Sequence, residues 1–459
     1  MVLSLLFFNG FPPTLKAQEI AYRIYLHSKT DSLQDKQSAT YCLKHPDQFL
    51  SNRALQRRKK LHIEIDPTDL PISESYLNQF RKKGKILTKS KWLATVVLLV
   101  NKPCNIQSLT KLPFVKKIQK VWEGQTFPFI ESNTDTTTIE IVDTKNKKSY
   151  GYGEKQIKML NGIWLHHKGY QGKGMQIAIL DEGFENTNRI ALLNSIQIIG
   201  TRNLVHPKTS VFANHTHGTK VLSCLAANAP YYMIGSAPQA SYWLIKTEMS
   251  GCEAPIEEDF WVAGAEFADS VGVDVISSSL GYSTFDKGYN SYKTTALGKN
   301  SAFISIGAQK AEKKGLLVVC SAGNEGNSEW ERITFPADAA TVFTVGSIDE
   351  KKRASTFSSI GYFSPHKVKP NVVALGTLAT IIDYEGHIRQ ASGTSYATPI
   401  LAGMATCLWQ AFPKAQPLDI RKAIEASSNR YHHPDNKRGY GLPNMHKAFE
   451  ILRKNVTKQ

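Results

Sequence analysis

The stretch SGTSYATPILAGMATCLWQAF, residues 392–412, decides how the chain folds. From Ser395 onward, apolar residues recur at Ile400, Leu401, Met404, Ala405 and Leu408, a helical period with hardly any polar face. Such a helix is expected to be buried. Pro399 is tolerable only in its first turn, where backbone N–H groups lack intrahelical partners. Ser395 then stands at the helix start, where two readings compete. Ser and Thr cap helices there by accepting a backbone hydrogen bond. A serine at the positive end of the helix dipole can also attack a carbonyl while its own N–H faces the developing oxyanion. A hydroxyl is a poor nucleophile unaided, so this second reading needs a base and an orienting acid elsewhere.

Composition narrows the search. At 459 residues, 41% of them hydrophobic and 10% aromatic, the chain suits two or three globular domains. Beyond the start, no run of about 18 apolar residues indicates a membrane-spanning helix. The opening MVLSLLFFNGFPPTLKAQE carries a short apolar run and small residues near Ala17. Residues 1–18 are therefore expected to be a signal peptide lacking its basic front, as a misplaced start codon would leave it. The protein is expected to be secreted, periplasmic or held at the cell envelope.

Net charge is +17, but about +11 of it falls in residues 1–150, which hold 24 Lys/Arg against 13 Asp/Glu. The clusters RRKK (57–60) and RKKGK (81–85) have no interleaved aromatics to stack bases. They read as solvated helix faces, and no nucleic-acid partner is expected. Six cysteines, Cys42, Cys104, Cys224, Cys252, Cys320 and Cys407, form no CxxC pair, which argues against structural zinc. Cys320 and Cys407 read as buried thiols. Cys252 is available for a disulfide in an oxidising compartment.

Residues 19–122 suggest a small α+β module. AYRIYLHS (21–28) and WLATVVLLV (92–100) read as strands, residues 46–61 as a helix, and residues 106–123 as a helix followed by a strand. Residues 123–150 are polar and rich in Thr, Asn and Lys, the composition of a linker open to proteolysis. From 151 to 455, short apolar strands alternate with helical patterns. The strands are MQIAILD (175–181), ASYWLIK (240–246), VDVISSS (273–279), GLLVVCSAG (315–323) and VFTVGS (342–347). The helical patterns fall at 217–227, 257–270 and 298–314. This alternation implies an α/β fold of three layers, a mostly parallel sheet flanked by helices, with functional residues at the carboxyl ends of strands.

Three such places offer partners for Ser395. Asp181 ends the strand MQIAILD; an acid there can cap a turn or bind a ribose, but no GxGxxG precedes it. His217 opens an apolar helix in ANHTHGTKVLSCLAA. It can be purely structural, and its HxH pairing with His215 lacks further metal ligands. Cys224 lies seven residues down that helix, about 10 Å along the axis, too far for His217 to activate it. Asn324 follows LLVVCSAG. It can belong to a plain turn, or its amide can be a second oxyanion donor opposite a helix N-terminus.

LDEGF, HGTKVLS, SAGNEG and GTSYATP, in this order, resemble the four blocks of the subtilisin-like serine proteases. The likeness extends over residues 151–450, through KGYQGKG, SSSLGY, TFPADAATVFTVGS, ASTFSSIG and KPNVVALG. The resemblance implies a serine endopeptidase with an Asp181–His217–Ser395 triad and an acyl-enzyme intermediate. It also implies an oxyanion site made by Asn324 and the Ser395 N–H. Substrate peptides would add as an extended strand along Ser279, Leu280 and Gly281 on one side and Ser321, Ala322 and Gly323 on the other. The small Ser321, Ala322 and Gly323 leave room for a sizeable apolar side chain next to the scissile carbonyl. Glu182 and Tyr396 depart from the common pattern: one adds a carboxylate beside Asp181, the other narrows the approach to the oxyanion site. Residues 19–122 resemble, more loosely, the family's small α+β prodomains of ferredoxin-like type. This implies a zymogen whose first unit assists folding, inhibits the active site and is cut off within roughly 123–155 by the enzyme itself. No cofactor is required; structural calcium, held by many relatives, is indicated by no compact run of acidic ligands. The alternatives are an inactive or ester-hydrolysing protein of the same fold that binds extended peptides.

Overall fold

The computed structural model describes residues 18–30, 33–101, 106–125, 127, 137–249, 251–364 and 367–456. Residues 1–17 of the expected signal peptide, Cys104, and residues 126 and 128–136 of the expected linker lie outside them. Among the described residues, no helix is long and apolar enough to cross a membrane.

Seven parallel strands form the central sheet. Their spatial order is Val372–Leu375, Phe343–Ile348, Leu317–Ser321, Val275–Ser278, Gln176–Asp181, Ser241–Lys246 and Gln197–Asn203. Alternate residues of each strand face opposite layers. Ile177, Ile179, Leu244, Val275, Val319 and Val345 meet helices His217–Ala226 and Thr394–Ala411 on one face. Ala178, Leu180, Ile245, Ile276 and Val318 meet helices Ile256–Val271 and Phe303–Lys313 on the other. Burial on both faces is why these strands read as unbroken apolar runs, each large side chain contributing roughly 1.5–3 kcal/mol. The first strand, Gln176–Asp181, lies inside the sheet. The chain builds outward to one edge through 197–246 and then to the other from Val275. The reversal opens a crevice at the carboxyl ends of Gln176–Asp181 and Val275–Ser278.

The Gln197–Asn203 strand was not anticipated. It is an edge strand with exposed and half-buried positions and lacks the apolar run of its neighbours. The Thr394–Ala411 helix is buried from Thr394 to Trp409, but Gly393 is its N-cap and Ser395 is the second helical residue, so Ser395 does not cap it. Pro399 lies beyond the first turn. A proline there leaves the carbonyl four residues back, that of Ser395, without its helical partner. The Ser279 hydroxyl supplies the missing donor at 2.8 Å.

The first unit is a four-stranded antiparallel sheet in the order Lys85–Ser90, Thr95–Asn101, Glu19–Leu26, Val115–Gly124. Helices Leu33–Lys44, Asn52–Lys60 and Glu74–Arg81 join its first two strands, and Gln107–Thr110 precedes the last, a βαββαβ sequence of the ferredoxin-like kind. One face of the sheet packs on Tyr76, Leu77 and Phe80. The other presents Ala21, Val97, Leu99, Val121 and Trp122 to Ile256 and Phe260 of the larger unit.

The RRKK cluster departs from its expected role. Lys59 and Lys60 are solvated, but Arg57 and Arg58 are buried between the two units. Arg57 pairs with Asp269 and donates to the Val273 carbonyl. Arg58 grips Asp69 with two nitrogens, at 3.0 and 2.8 Å, and reaches Asp269 at 2.6 Å. Lys314 completes the cluster on Asp69 at 2.8 Å. Arg23 bonds Asp259 at 2.6 Å and stacks over Phe303, and Glu266 accepts the N–H groups of Lys91 and Trp92 at 3.0 Å. Five described cysteines, Cys252 included, are free thiols, and Cys224, Cys320 and Cys407 are buried.

Candidate active site

Asp181 is the last residue of its strand and is fully buried. Its Oδ1 accepts from the Glu182 N–H at 2.9 Å and pairs with His217 Nδ1 at 2.7 Å; its Oδ2 is buried with no partner. His217 begins its helix directly after the loop that faces Asp181. Two glycines make that approach possible. The Gly218 N–H donates to the Gly183 carbonyl at 3.0 Å, and a Cβ on Gly218 would lie 2.4 Å from that same oxygen. The His217 ring is about one-quarter exposed, at 26%. Burial pulls its pKa down, but the charge and hydrogen bond of Asp181, with the charge of Glu182, outweigh this and raise it to about 8. Without these carboxylates, the imidazole would lose its proton at lower pH.

Ser395 lies in the same cleft, 7% exposed. Its hydroxyl donates to the Ser279 carbonyl at 3.3 Å rather than to His217. Asn324 follows the Leu317–Ser321 strand. Its Oδ1 accepts from the Thr394 N–H at 2.9 Å and the Thr394 hydroxyl at 3.0 Å. Both bonds hold the oxygen end of the amide, which leaves Nδ2 as the donor available to the cleft.

The cleft encloses about 250 Å³ and is lined by Glu182, His217, Ser279, Leu280, Gly281, Ser321, Gly323, Asn324 and Ser395, together with Glu248, Glu253, Glu325 and Thr334. Five of the six expected substrate-contacting residues are therefore in its wall. Ala322 is not; it is wholly buried against Ile333 and Ala337. Tyr396 is 7% exposed with its ring 6.2 Å from that of His217. Glu182 lies 3.5 Å from His215, whose hydrogen bond holds its carboxyl below the usual range. Among the described residues, no group of three or more His, Cys, Asp or Glu is placed to hold a metal ion.

Sequence reading passed over Glu248, Glu253, Glu325 and Thr334. Glu248 follows the strand Ser241–Lys246 at its carboxyl end, the place where functional residues gather, and that position was the available signal. Glu325 stood in plain view within SAGNEG but read as part of a turn.

A parallel α/β sheet that carries a buried acid–imidazole pair and a serine-led helix at one crevice defines a serine hydrolase. The Subtilase family model matches residues 172–441, and the model of the Peptidase S8 propeptide domain, Bacteroidota, matches residues 32–137. The chain belongs to the subtilase family and is a serine endopeptidase with a propeptide. Subtilisin NAT of Bacillus subtilis subsp. natto is 28% identical over 310 residues, 66% of this chain and 72% of the relative. Subtilisin of Bacillus pumilus is 28% identical over 306 residues, 66% of this chain and 100% of the relative. A thermostable alkaline protease of Halalkalibacterium halodurans is 25% identical over 318 residues, 68% and 75% of the two chains.

Proposed function

We propose that Asp181, His217 and Ser395 hydrolyse peptide bonds as one unit, with Asn324 and the Ser395 N–H holding the oxyanion. The observation that carries this is the 2.7 Å His217–Asp181 bond at the wall of a cleft shared with Ser395 and Asn324. Asp181 fixes Nδ1 as the protonated nitrogen, so Nε2 is the base. The Ser395 hydroxyl exchanges its long bond to Ser279 for His217 Nε2 when substrate binds; at 3.3 Å little is lost. Ser395 Oγ then adds to the scissile carbonyl while its proton passes to His217 Nε2. The imidazolium returns that proton to the leaving amine, the C–N bond breaks, and an acyl-enzyme remains. Water, deprotonated by the same nitrogen, releases the acid and regenerates the hydroxyl. The buried charge of Asp181 stabilises the imidazolium throughout.

The first unit is an inhibitor of the larger one, and the precursor is exported and cut by its own active site. The end of its last strand, Val115–Gly124, connects to the cleft wall through one loop: the Glu123 N–H bonds the Tyr289 hydroxyl, and Tyr289 belongs to the loop in which Asp286 bonds cleft-lining Glu253. A fluorophosphonate probe should label the purified protein at Ser395, and Ser395→Ala should give an uncut precursor. Labelling elsewhere, or normal maturation of the alanine variant, would refute the assignment.

A further inference from the structure

Small residues alone promised an apolar pocket, but the cleft wall is acidic. Glu182, Glu248, Glu253 and Glu325 line it, and among the described residues no lysine or arginine forms an ion pair with any of them. Glu248 is 93% buried, from an exposure of 7%, and its Oε1 accepts from the Tyr282 hydroxyl and, at 3.5 Å, from the Thr247 hydroxyl. Burial first, then the charges of Glu253 and Glu182, push its carboxyl up to about 8. Burial and Asp286 push Glu253 up to about 7. Lys246, whose charge bears on Glu182 and Glu248, is itself buried and reaches neither within ion-pair distance. Glu248 and Glu253 are crowded with no lysine or arginine at ion-pair distance, whereas Glu182 is held by His215; a cation entering the cleft would relieve the crowding of the first two.

A second observation is independent of charge. Thr334 is 3% exposed, and its hydroxyl is buried without a hydrogen-bond partner. That hydroxyl stands between the two edges of the slot. A Cβ built on Gly281 would meet it at 2.1 Å, and one on Gly323 at 3.1 Å. An unpaired buried hydroxyl on the floor of a substrate slot calls for a polar partner. A lysine or arginine side chain is the substrate chemistry that would suit both features, with methylenes to cover Leu280 and a charged donor head for the carboxylates and the hydroxyl.

We infer that this endopeptidase selects peptides with a lysine or arginine among the four residues on the acyl side of the scissile bond, recognised by Glu248 and Glu253 with Thr334. The inference rests on the hydrolytic reading above. It has a consequence within the chain itself. Across residues 123–150 the only cations are Lys145, Lys147 and Lys148, and all three are exposed. They mark where the enzyme cuts its own precursor.

The test uses the enzyme matured from the full-length chain. Matched peptides carrying lysine or uncharged norleucine at each acyl-side position are compared by kcat/KM, and the new amino terminus is sequenced. Lysine is expected to exceed norleucine at least tenfold at one position or more, and the terminus is expected between residues 146 and 152. The double variant E248Q/E253Q should bring that ratio below threefold. Equal cleavage of both peptides, a terminus outside 146–152, or an unchanged ratio in the double variant overturns the inference. Fluorophosphonate labelling of Ser395 separates the two levels: retained labelling with no preference for cations sinks the specificity alone, while lost labelling and lost cleavage sink the hydrolytic reading and this one with it.

Discussion

Replacing Asp269 by alanine removes one carboxylate that serves two arginines from the other unit. Its Oδ1 pairs with Arg57 and its Oδ2 accepts from Arg58 at 2.6 Å, and all three side chains are at least 95% buried. Arg58 retains Asp69, itself shared with Lys314, whereas Arg57 retains only the Val273 and Lys314 carbonyls. The variant therefore leaves a buried guanidinium without its counter-ion. Breaking a buried pair from one side costs about 3–5 kcal/mol. At about 1.4 kcal/mol per decade, the first unit should bind the matured enzyme more weakly by roughly two to three and a half decades. The assay is inhibition of peptide hydrolysis by separately produced first unit, comparing the inhibition constants of wild-type and Asp269→Ala enzymes. Asp269 is on the side of the Ile256–Val271 helix that meets the first unit, away from the cleft lining, so kcat/KM without inhibitor controls for damage to the enzyme. A change under threefold would show that the ionic cluster is solvated or dispensable in solution. The docking would then rest on Ile256, Phe260 and the apolar sheet face alone.

Asn324→Ala should lower kcat about 10²–10³-fold with little change in KM, because its amide donates to charge that exists only in the transition state. The acid limb of kcat/KM should fall near pH 8, since a His217 raised to about 8 must be neutral to act as base and is protonated below that value. Glu182→Gln removes a charge that favours the imidazolium, so a pH–rate series should show that limb moving to lower pH; an unmoved limb would mean solvent screens Glu182. Ser279→Ala leaves the Ser395 carbonyl without the donor that Pro399 obliges it to find. Its cost is about 1–3 kcal/mol, read as a fall of a few degrees in the Tm of the Ser395→Ala precursor, with Ser279→Thr restoring most of it.

What the sequence disclosed and what it withheld divide along one physical line. Strands buried on both faces leave continuous apolar runs, so MQIAILD and GLLVVCSAG could be read, and with them the strand ends at Asp181 and Asn324. The edge strand Gln197–Asn203, buried on neither face throughout, left no such trace. His217 and Ser395 were legible because each lies in the first turn of an apolar helix, and their joint appearance with Asp181 and Asn324 raised four weak signals to a strong one. Charged residues carried no comparable signal. Arg57 and Lys59 are two positions apart in RRKK, yet one is buried and the other solvated. The difference comes from a partner, Asp269, more than two hundred residues away, which no local pattern encodes. The same holds for Glu248 and Glu253: a carboxylate facing solvent and one crowding a substrate slot look alike in a sequence. Apolar periodicity reports burial by the hydrophobic effect, which is non-directional and local to an element. The proposed specificity and the docking of the first unit involve charges whose environment is set by tertiary contacts, so the fold and the candidate reacting groups were legible from the chain, and the acidic cleft wall and the buried ion pairs between the units only when distant segments met.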